Sequence, residues 1–576
     1  MLRTRPRRAV ALVALVALAA LALGACAAPR SDPDPSRSPS PTPTAAPVPT
    51  AVLRLPTAAT TVLADADPVA RSVAASTALF VSAPVAVVAA SDDLAAQVRA
   101  AGLAVALGGP VLLLGPDPAP TADELERLGA EAVLTVGDVP GLVGALRDVA
   151  VVAAPADDDA LARLLADAGG IDLPAPVPVA PGGEVAAVAA LDRAAPVLLA
   201  VPPPEQPEQP DGTPSARPSP ATGLPRTAVG ITPPGGLVLA TGDPSELAAV
   251  ATARAAGHSV VVVPGGDPRA SAATVDAVAA AHRDGPTHVL VVGPGLGSPE
   301  RVAWTVSTAA TGVQLPGGGQ LALAGKRMVA LYGTPVFAGL GLLGEQDLPS
   351  AVVRAQGLAA EYQALTGDVV VPTFEIIATV ASAGPGDDGN YSNELAVDAL
   401  LPWVEAAGAA GVYVILDLQP GRTDFLTQAM AYEPLLRHPH VGLALDPEWR
   451  LAPDQVHLRQ IGSVGIDEVN AVVTWLADLT RTYALPQKVL VLHQFMLRMI
   501  DGRERLDTSR EELTVVLHVD GQGSQPAKAG TWAALQVGAP AGVRWGWKNF
   551  VDEDVPMLTP AQTYQVLPLP DLVTYQ

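Results

Sequence analysis

The sequence predicts an α/β protein: β-α-β repeats followed by a C-terminal (β/α)8-type barrel. Three observations predict it. Short runs of Val, Ile, Leu and Ala alternate with Ala-rich helical stretches, the pattern of buried parallel strands in β-α-β units. The order of these runs repeats within the first half of the chain. Eight further strand runs then fill roughly the last 250 residues, the size of a (β/α)8 barrel. At 576 residues the chain exceeds what one core serves, so two to four domains are expected.

Residues 1–25 read as a secretory leader. Arg3, Arg5, Arg7 and Arg8 come without an acid, and Ala9 to Leu23 is unbroken and apolar, too short to span a membrane comfortably. The leader ends in Leu23-Gly24-Ala25-Cys26, which resembles the bacterial lipobox. That resemblance implies cleavage before Cys26, lipidation of its sulfur, and a chain anchored through its N-terminal lipid to the outer face of the cell membrane. Two or more acyl chains hold a bilayer far more firmly than one. Cys26 is the only cysteine, so no disulfide and no cysteine-ligated metal is expected. The formal charge is −23, and −27 once the four arginines of the leader are set aside. A surface that acidic repels nucleic acid and anionic headgroups, which excludes nucleic acid as a partner and assigns anchoring to the lipid. Only four basic residues are Lys, and Ala, Val, Pro and Arg abound, a bias that points to a GC-rich, actinobacterial genome.

Residues 26–56 are rich in Pro, Ser and Thr and read as a disordered tether. The α/β region follows over 57–318, with a Pro-rich insertion at 202–234. One copy of the repeat runs through VAVVAASDD, LAAQVRAAGLAVALGG, PVLLLGPDP, ADELERLG and AVLTVG within 85–137. A second runs through LVLATGDP, ELAAVATARAAG, HSVVVVPGGDP, ASAATVDAVAAAH and THVLVVG within 237–293. A degenerate middle copy starts at Val149 and ends in APVLLAVPPP at 195–204. The series of Ala-rich helix, Pro-Val-Leu-Leu, helical spacer and Val-x-x-Val-Gly strand resembles the Gram-positive cell wall-binding repeat of type 2, most clearly over 72–138. Arg71-Ser72-Val73-Ala74 stands where that family has Arg-Tyr-x-Thr-Ala. The resemblance implies Rossmann-like repeats and binding to a cell-wall polymer. Gly293-Pro-Gly295-Leu-Gly297 lacks the G-x-G-x-x-G spacing of a dinucleotide site and reads as a tight turn.

Of 21 aromatic residues, only Phe80 and Trp304 precede residue 325, which places a domain boundary near Gly319 and the barrel over 319–576. Its strands are read at 327–333, 369–377, 411–419, 441–449, 488–495, 512–521, 542–550 and 571–576. Helices are expected around 351–365, 393–409, 424–435 and 466–483, with a helical stretch before Thr508. The last strand stands at the end of the sequence, leaving no eighth helix; an open doubly wound sheet is the competing topology.

The carboxyl ends of these strands carry Glu375, Asp417 with Gln419, Asp446 with Glu448, His493, His518 with Asp520, and Trp545, Trp547 and Lys548. In a barrel such ends converge on one mouth. Residues two apart on a strand share a face, so Asp446 and Glu448 are expected to point together, each raising the other's proton affinity as a general acid requires. The LDPEW segment resembles chitinase-like and lysozyme-like glycoside hydrolase barrels, and that resemblance implies Glu448 as proton donor supported by Asp446. Asp417 and Asp520 complete the candidate catalytic set. Glu375, Gln419, His493, His518, Trp545, Trp547 and Lys548 are candidate substrate-binding residues, the tryptophans as platforms for sugar rings. This chemistry needs no cofactor and no metal. A rival chemistry has His493, His518, Asp520 and Asp446 holding a divalent metal and its water, although no His-x-His or His-x-x-x-His pair is present. The expected protein is therefore a lipid-anchored envelope protein whose repeats bind wall polymer and whose barrel binds or hydrolyses an envelope glycan. A non-enzymatic scaffold or adhesin is the alternative. A solute-binding lipoprotein is another, though the unequal aromatic content argues against matched lobes.

Overall fold

The computed structural model describes residues 48–202, 223–233, 235–283 and 288–576. The leader, Cys26, most of the 26–56 tether and most of the 202–234 tract lie outside the described residues. No helix among those described is long and apolar enough to cross a membrane.

After a short strand at Val52–Leu53 come β1 (Thr60–Leu63) and α1 (Pro68–Leu79). The first repeat supplies β2 (Val85–Ala90), α2 (Leu94–Leu107), β3 (Val111–Leu114) and β4 (Ala132–Val136), and β5 (Ala150–Ala153) follows. The later repeat supplies β6 (Gly236–Ala240), α3 (Leu247–Ala255), β7 (Ser259–Val262) and β8 (His288–Val292). Two parallel four-stranded sheets result, in the orders β3-β2-β4-β5 and β7-β6-β8-β1. Each repeat thus forms three strands of its own and takes its fourth from outside: β5 from the middle copy, β1 from the start of the region. The middle copy contributes only a further two-stranded parallel pair, Val177–Pro178 with Leu199–Ala200.

The Ala-rich character of α2 and α3 has a packing cause. With α1 they form one buried helical layer in which small side chains let backbones approach. A Cβ at Gly102 would stand 2.6 Å from the Val197 carbonyl oxygen. Arg71 and Ser72 tie this layer together. The buried Arg71 guanidinium donates from Nη1 to Ser245 Oγ (2.8 Å) and from Nε to the Asp65 carbonyl (2.9 Å), and Ser72 Oγ accepts from Leu113 N (3.1 Å). The Gly-Pro-Gly-Leu-Gly segment is a single 3-10 turn, Pro294–Leu296, flanked by positive φ at Gly293 and Gly297.

The barrel consists of β9 (Lys326–Gly333), β10 (Val369–Ala381), β11 (Tyr413–Leu418), β12 (Val441–Leu445), β13 (Lys488–Gln494), β14 (Leu513–Val519), β15 (Arg544–Asn549) and β16 (Leu572–Tyr575). Every sequential neighbour pairs in parallel, and β16 pairs with β9 to close the ring. The closed ring excludes the open sheet. Around it lie α4 (Leu348–Gln363), α5 (Val397–Ala409), α6 (Phe425–Ala431), α7 (Ile466–Thr482) and α8 (Gln525–Gln536). Two helical expectations differ from the structure. Before Thr508 there is no α-helix but two 3-10 turns, Leu497–Met499 and Arg503–Arg505, separated by Ile500–Asp501, which pairs in parallel with Val464–Gly465, and by Gly502 at φ 74°. Residues 392–394 pair antiparallel with the end of β10, so α5 starts only at Val397.

Side-chain alternation divides the barrel interior into layers. Met328, Ala330, Val371, Tyr413, Ile415, Ala444, Val489, Val491, Val516 and Leu572 fill its lower part, closed from below by Leu315, Ala322 and Leu323. The next inward positions upward are polar. The barrel joins the α/β region through Trp304, whose ring has the Arg269 guanidinium at 4.3 Å and the Arg481 guanidinium at 4.4 Å. Arg301 Nε donates to Glu511 at 2.8 Å beside it. All four lysines of the chain (Lys326, Lys488, Lys528 and Lys548) lie buried in the barrel.

Candidate functional site

Above the apolar layer, inward positions carry Tyr332 on β9, Glu375 on β10, Asp417 on β11, His493 on β13, His518 on β14, Lys548 on β15 and Thr574 on β16. All seven are buried, and Glu375, Asp417, His493 and His518 are wholly so. His493 is the hub. Its Nε2 lies 2.8 Å from Glu375 Oε1 and its Nδ1 lies 3.0 Å from Asp520 Oδ2. Asp417 Oδ1 stands 3.9 Å from the same ring, beyond hydrogen-bond range. Tyr332 Oη donates to Asp417 Oδ2 at 2.8 Å, and the Lys548 ammonium lies 3.6 Å above the Tyr332 ring. His518 Nε2 is 3.0 Å from Thr574 Oγ1, and its ring sits 4.8 Å from that of His493. Its position depends on Gly546, where a Cβ would stand 2.3 Å from His518 Cδ2.

Burial and charge set the protonation of this layer. Burial, opposed by the His493 charge and reinforced by Glu375, pushes the Asp417 carboxyl up to about 6. Burial would depress His493, but the charge of Glu375 and the hydrogen bonds to Asp520 and Glu375 outweigh it and hold the imidazolium well above its usual range. Burial and then the His493 charge keep His518 neutral. Five buried atoms in the cluster have no hydrogen-bond partner among the described residues: Glu375 Oε2, Asp417 Oδ1, Asp446 Oδ1, His518 Nδ1 and Asp520 Oδ1.

Asp446 and Glu448 come together, but not along a strand. Pro447 carries no amide hydrogen to continue a ladder; β12 stops at Leu445, and Pro447–Trp449 forms a 3-10 turn. The turn is fastened by Gly462 N donating to the Glu448 carbonyl (2.7 Å) and by the Arg450–Glu468 ion pair (3.0 Å). Asp446 is buried, and burial followed by the charges of Glu448 and Asp417 raises it well above the carboxylate range. Glu448 is only half-buried and makes no hydrogen bond or ion pair with a described residue through its carboxyl group. Burial, then the charge of Asp520, pushes it up to about 7.

Gln419 also reaches the mouth. Its Oε1 accepts from Ala381 N at 3.0 Å and its Nε2 lies 3.5 Å from Tyr332 Oη. Trp545 and Trp547 do not, which corrects their expected place as sugar platforms. On β15 they alternate with the inward Gly546 and Lys548, so they point out into the strand–helix layer. There their rings meet Trp532 of α8 at 5.7 and 5.4 Å, and Trp547 Nε1 donates to Asn549 Oδ1. Tyr332, Thr574 and Gly546 belong to the site and were not singled out in the sequence. Counting in twos from the apolar ends of β9, β15 and β16 would have found them.

No family model matches the chain, and no curated protein matches it. Solved structures similar to it include Cwp6 from Clostridium difficile, at 16% identity and TM-score 0.31, covering 57% of this chain and 64% of that one. Cwp8 from Clostridium difficile is similar at 12% identity and TM-score 0.29, covering 45% of this chain and 52% of that one. The chain thus spans less than two thirds of either protein, and likenesses at this level carry no argument about its fold or activity.

Proposed function

We propose that this is a lipid-anchored, extracytoplasmic envelope protein whose barrel hydrolyses an envelope glycan by acid–base chemistry. One observation carries the chemistry: Glu448 is a half-open, unpartnered carboxyl at the barrel mouth, held near neutrality beside the buried Asp446. A carboxyl in that state gives a proton to a leaving oxygen at physiological pH. Glu448 is the donor, burial and the charge of Asp520 raise its proton affinity, and Asp417 and Asp520 are the candidates for the second carboxylate that a glycosidase uses. Glu375, Gln419, His493, His518 and Lys548 are buried and form the polar floor beneath these carboxyls. The leader and Cys26 support the location and the anchor. The repeats serve as the wall-binding part. A cleft of about 730 Å³ opens at the carboxyl ends of β2 and β3, lined by Ser91, Asp92, Asp93 and Asp138, where parallel sheets take ligands. The test is turnover of peptidoglycan and other envelope glycans by wild type and Glu448→Gln. Loss of turnover in a folded variant supports the reading, and unchanged turnover ends it.

A second reading has its own observation. His493 is buried between Glu375 and Asp520 at 2.8 and 3.0 Å, a network that fastens strands together without any substrate. The barrel is then a non-enzymatic scaffold, and no glycan is cut by the wild type.

A further inference from the structure

We infer that His493, His518 and Asp520 form a binding site for one divalent transition-metal ion, with Glu375 and Thr574 aiming the two imidazoles. The inference stands apart from the glycan reading, because it concerns a bound ion whatever the barrel acts on.

The placement follows from register. His493 and His518 are partners on adjacent parallel strands, and Asp520, just past the end of β14, has its Oδ2 3.0 Å from His493 Nδ1. One donor atom from each of the three lies within 4.8 Å of the other two, and all three residues are buried.

The orientation of the rings is the second observation. A metal-ligating histidine usually donates its other N–H to a carboxylate, carbonyl or other acceptor, which fixes its tautomer. Here both Nε2 atoms are engaged in that way, His493 with Glu375 Oε1 at 2.8 Å and His518 with Thr574 Oγ1 at 3.0 Å. In the tautomer where Nε2–H donates to Thr574, His518 Nδ1 carries a lone pair, and that atom has no partner among the described residues. His493 Nδ1 faces Asp520 Oδ2 at 3.0 Å. Two ligands on a tetrahedral ion with bonds near 2.0–2.1 Å are separated by roughly 3.3 Å, so a small shift admits the ion between them.

Charge gives the third. Asp520 Oδ1, Asp417 Oδ1 and Glu375 Oε2 are buried acceptors with no donor among the described residues. Each of these carboxylates is paired through its other oxygen, so a buried lone pair is left unmet on each, and a cation relieves that cost. Two imidazole nitrogens and a carboxylate oxygen suit Zn²⁺ and leave a fourth position open. On binding, the ion takes the place of the proton between His493 Nδ1 and Asp520, and that proton leaves to solvent.

The experiment uses the full-length protein, stripped with EDTA, dialysed and titrated with Zn²⁺ against a chromophoric chelator. The expected result is one Zn²⁺ per chain with release of about one proton. His518→Ala is expected to weaken binding by at least about 100-fold. Thr574→Val keeps all three ligands and should weaken it by about 10–100-fold, the effect of losing an orienting partner. Co²⁺ in the wild-type protein should give the visible bands of a four-coordinate site, a readout that stands even if His518→Ala does not fold. A folded wild type that retains no Zn²⁺ and gives no Co²⁺ bands overturns the inference, as does Zn²⁺ binding unchanged in folded His518→Ala. Binding is measured without substrate. A protein that binds no ion yet loses hydrolysis in Glu448→Gln therefore refutes this site alone, and one that binds Zn²⁺ but cuts no glycan refutes only the glycosidase.

Discussion

Replacing Glu448 by Gln distinguishes a proton donor from an ordinary rim residue, because a donor leaves a pH signature in both stability and rate. Burial and the charge of Asp520 lift this carboxyl from 4.5 to about 7 in the folded protein. A lift of roughly 2.5 units at 1.36 kcal/mol per unit bounds the effect near 3 kcal/mol. Glu448 is partly open to water, and screening reduces the expected value to about 1–2 kcal/mol. The folded state holds the proton more tightly than the unfolded state, so this group costs nothing below the unfolded value. Its ionisation then destabilises the fold progressively as pH rises from about 4.5 to about 7. Wild type and Glu448→Gln should therefore unfold in urea at nearly the same midpoint near the lower end of that window. Above its upper end the variant should be the more stable. EDTA in both series keeps a bound ion from masking the charge. Turnover should fall by about 10²–10⁴ in the variant, and wild-type turnover should decline above pH of about 7 as the donor loses its proton. A stability difference independent of pH would refute the electrostatic reasoning, and a variant as active as wild type would refute the role.

Three further outcomes are expected. Cys26→Ala should leave the precursor unprocessed or release the protein from membranes, and fractionation showing normal cleavage and retention would end the lipoprotein reading. Gly546→Ala drives a methyl group to 2.3 Å from His518 Cδ2 and should lower stability by about 1–3 kcal/mol, measured by urea unfolding. Residues 57–318 expressed without the barrel should fold and sediment with purified cell walls, whereas binding confined to residues 319–576 would reassign the adhesive function.

Most of the barrel strands were legible through short apolar runs buried on both faces, such as YVIL in β11, GLAL in β12 and VLVL in β13, whereas β15 (RWGWKN) has no such run. Helix α8 was not, since GQGSQPAKAGTWAALQ opens with Gly, Ser and Pro and carries a weak apolar stripe. The candidate residues were legible as strand ends, yet strand ends alone do not say which face a side chain takes. Trp545 and Trp547 are one step out of phase with Gly546 and Lys548, and that single step sends them out to Trp532. Asp446 and Glu448 are neighbours for a reason the strand period did not contain, namely the turn at Pro447. The His493 hub joins β10, β13 and the residue just beyond β14, with Asp417 of β11 close by. No local pattern encodes a contact between residues more than a hundred positions apart.

The four buried lysines have a practical consequence. Apart from the chain's N-terminus, the native protein offers an amine-directed reagent no exposed primary amine. Lys326 sits on β9, Lys488 on β13, Lys528 on α8 and Lys548 on β15, so each reports on a different arc of the barrel wall. Acylation at each lysine must wait until its own segment opens. Rates resolved by peptide mass spectrometry would then yield local opening free energies around the ring, in the way amide exchange does for backbones. The composition has, in effect, furnished the barrel with four silent labels that become reactive only as it comes apart.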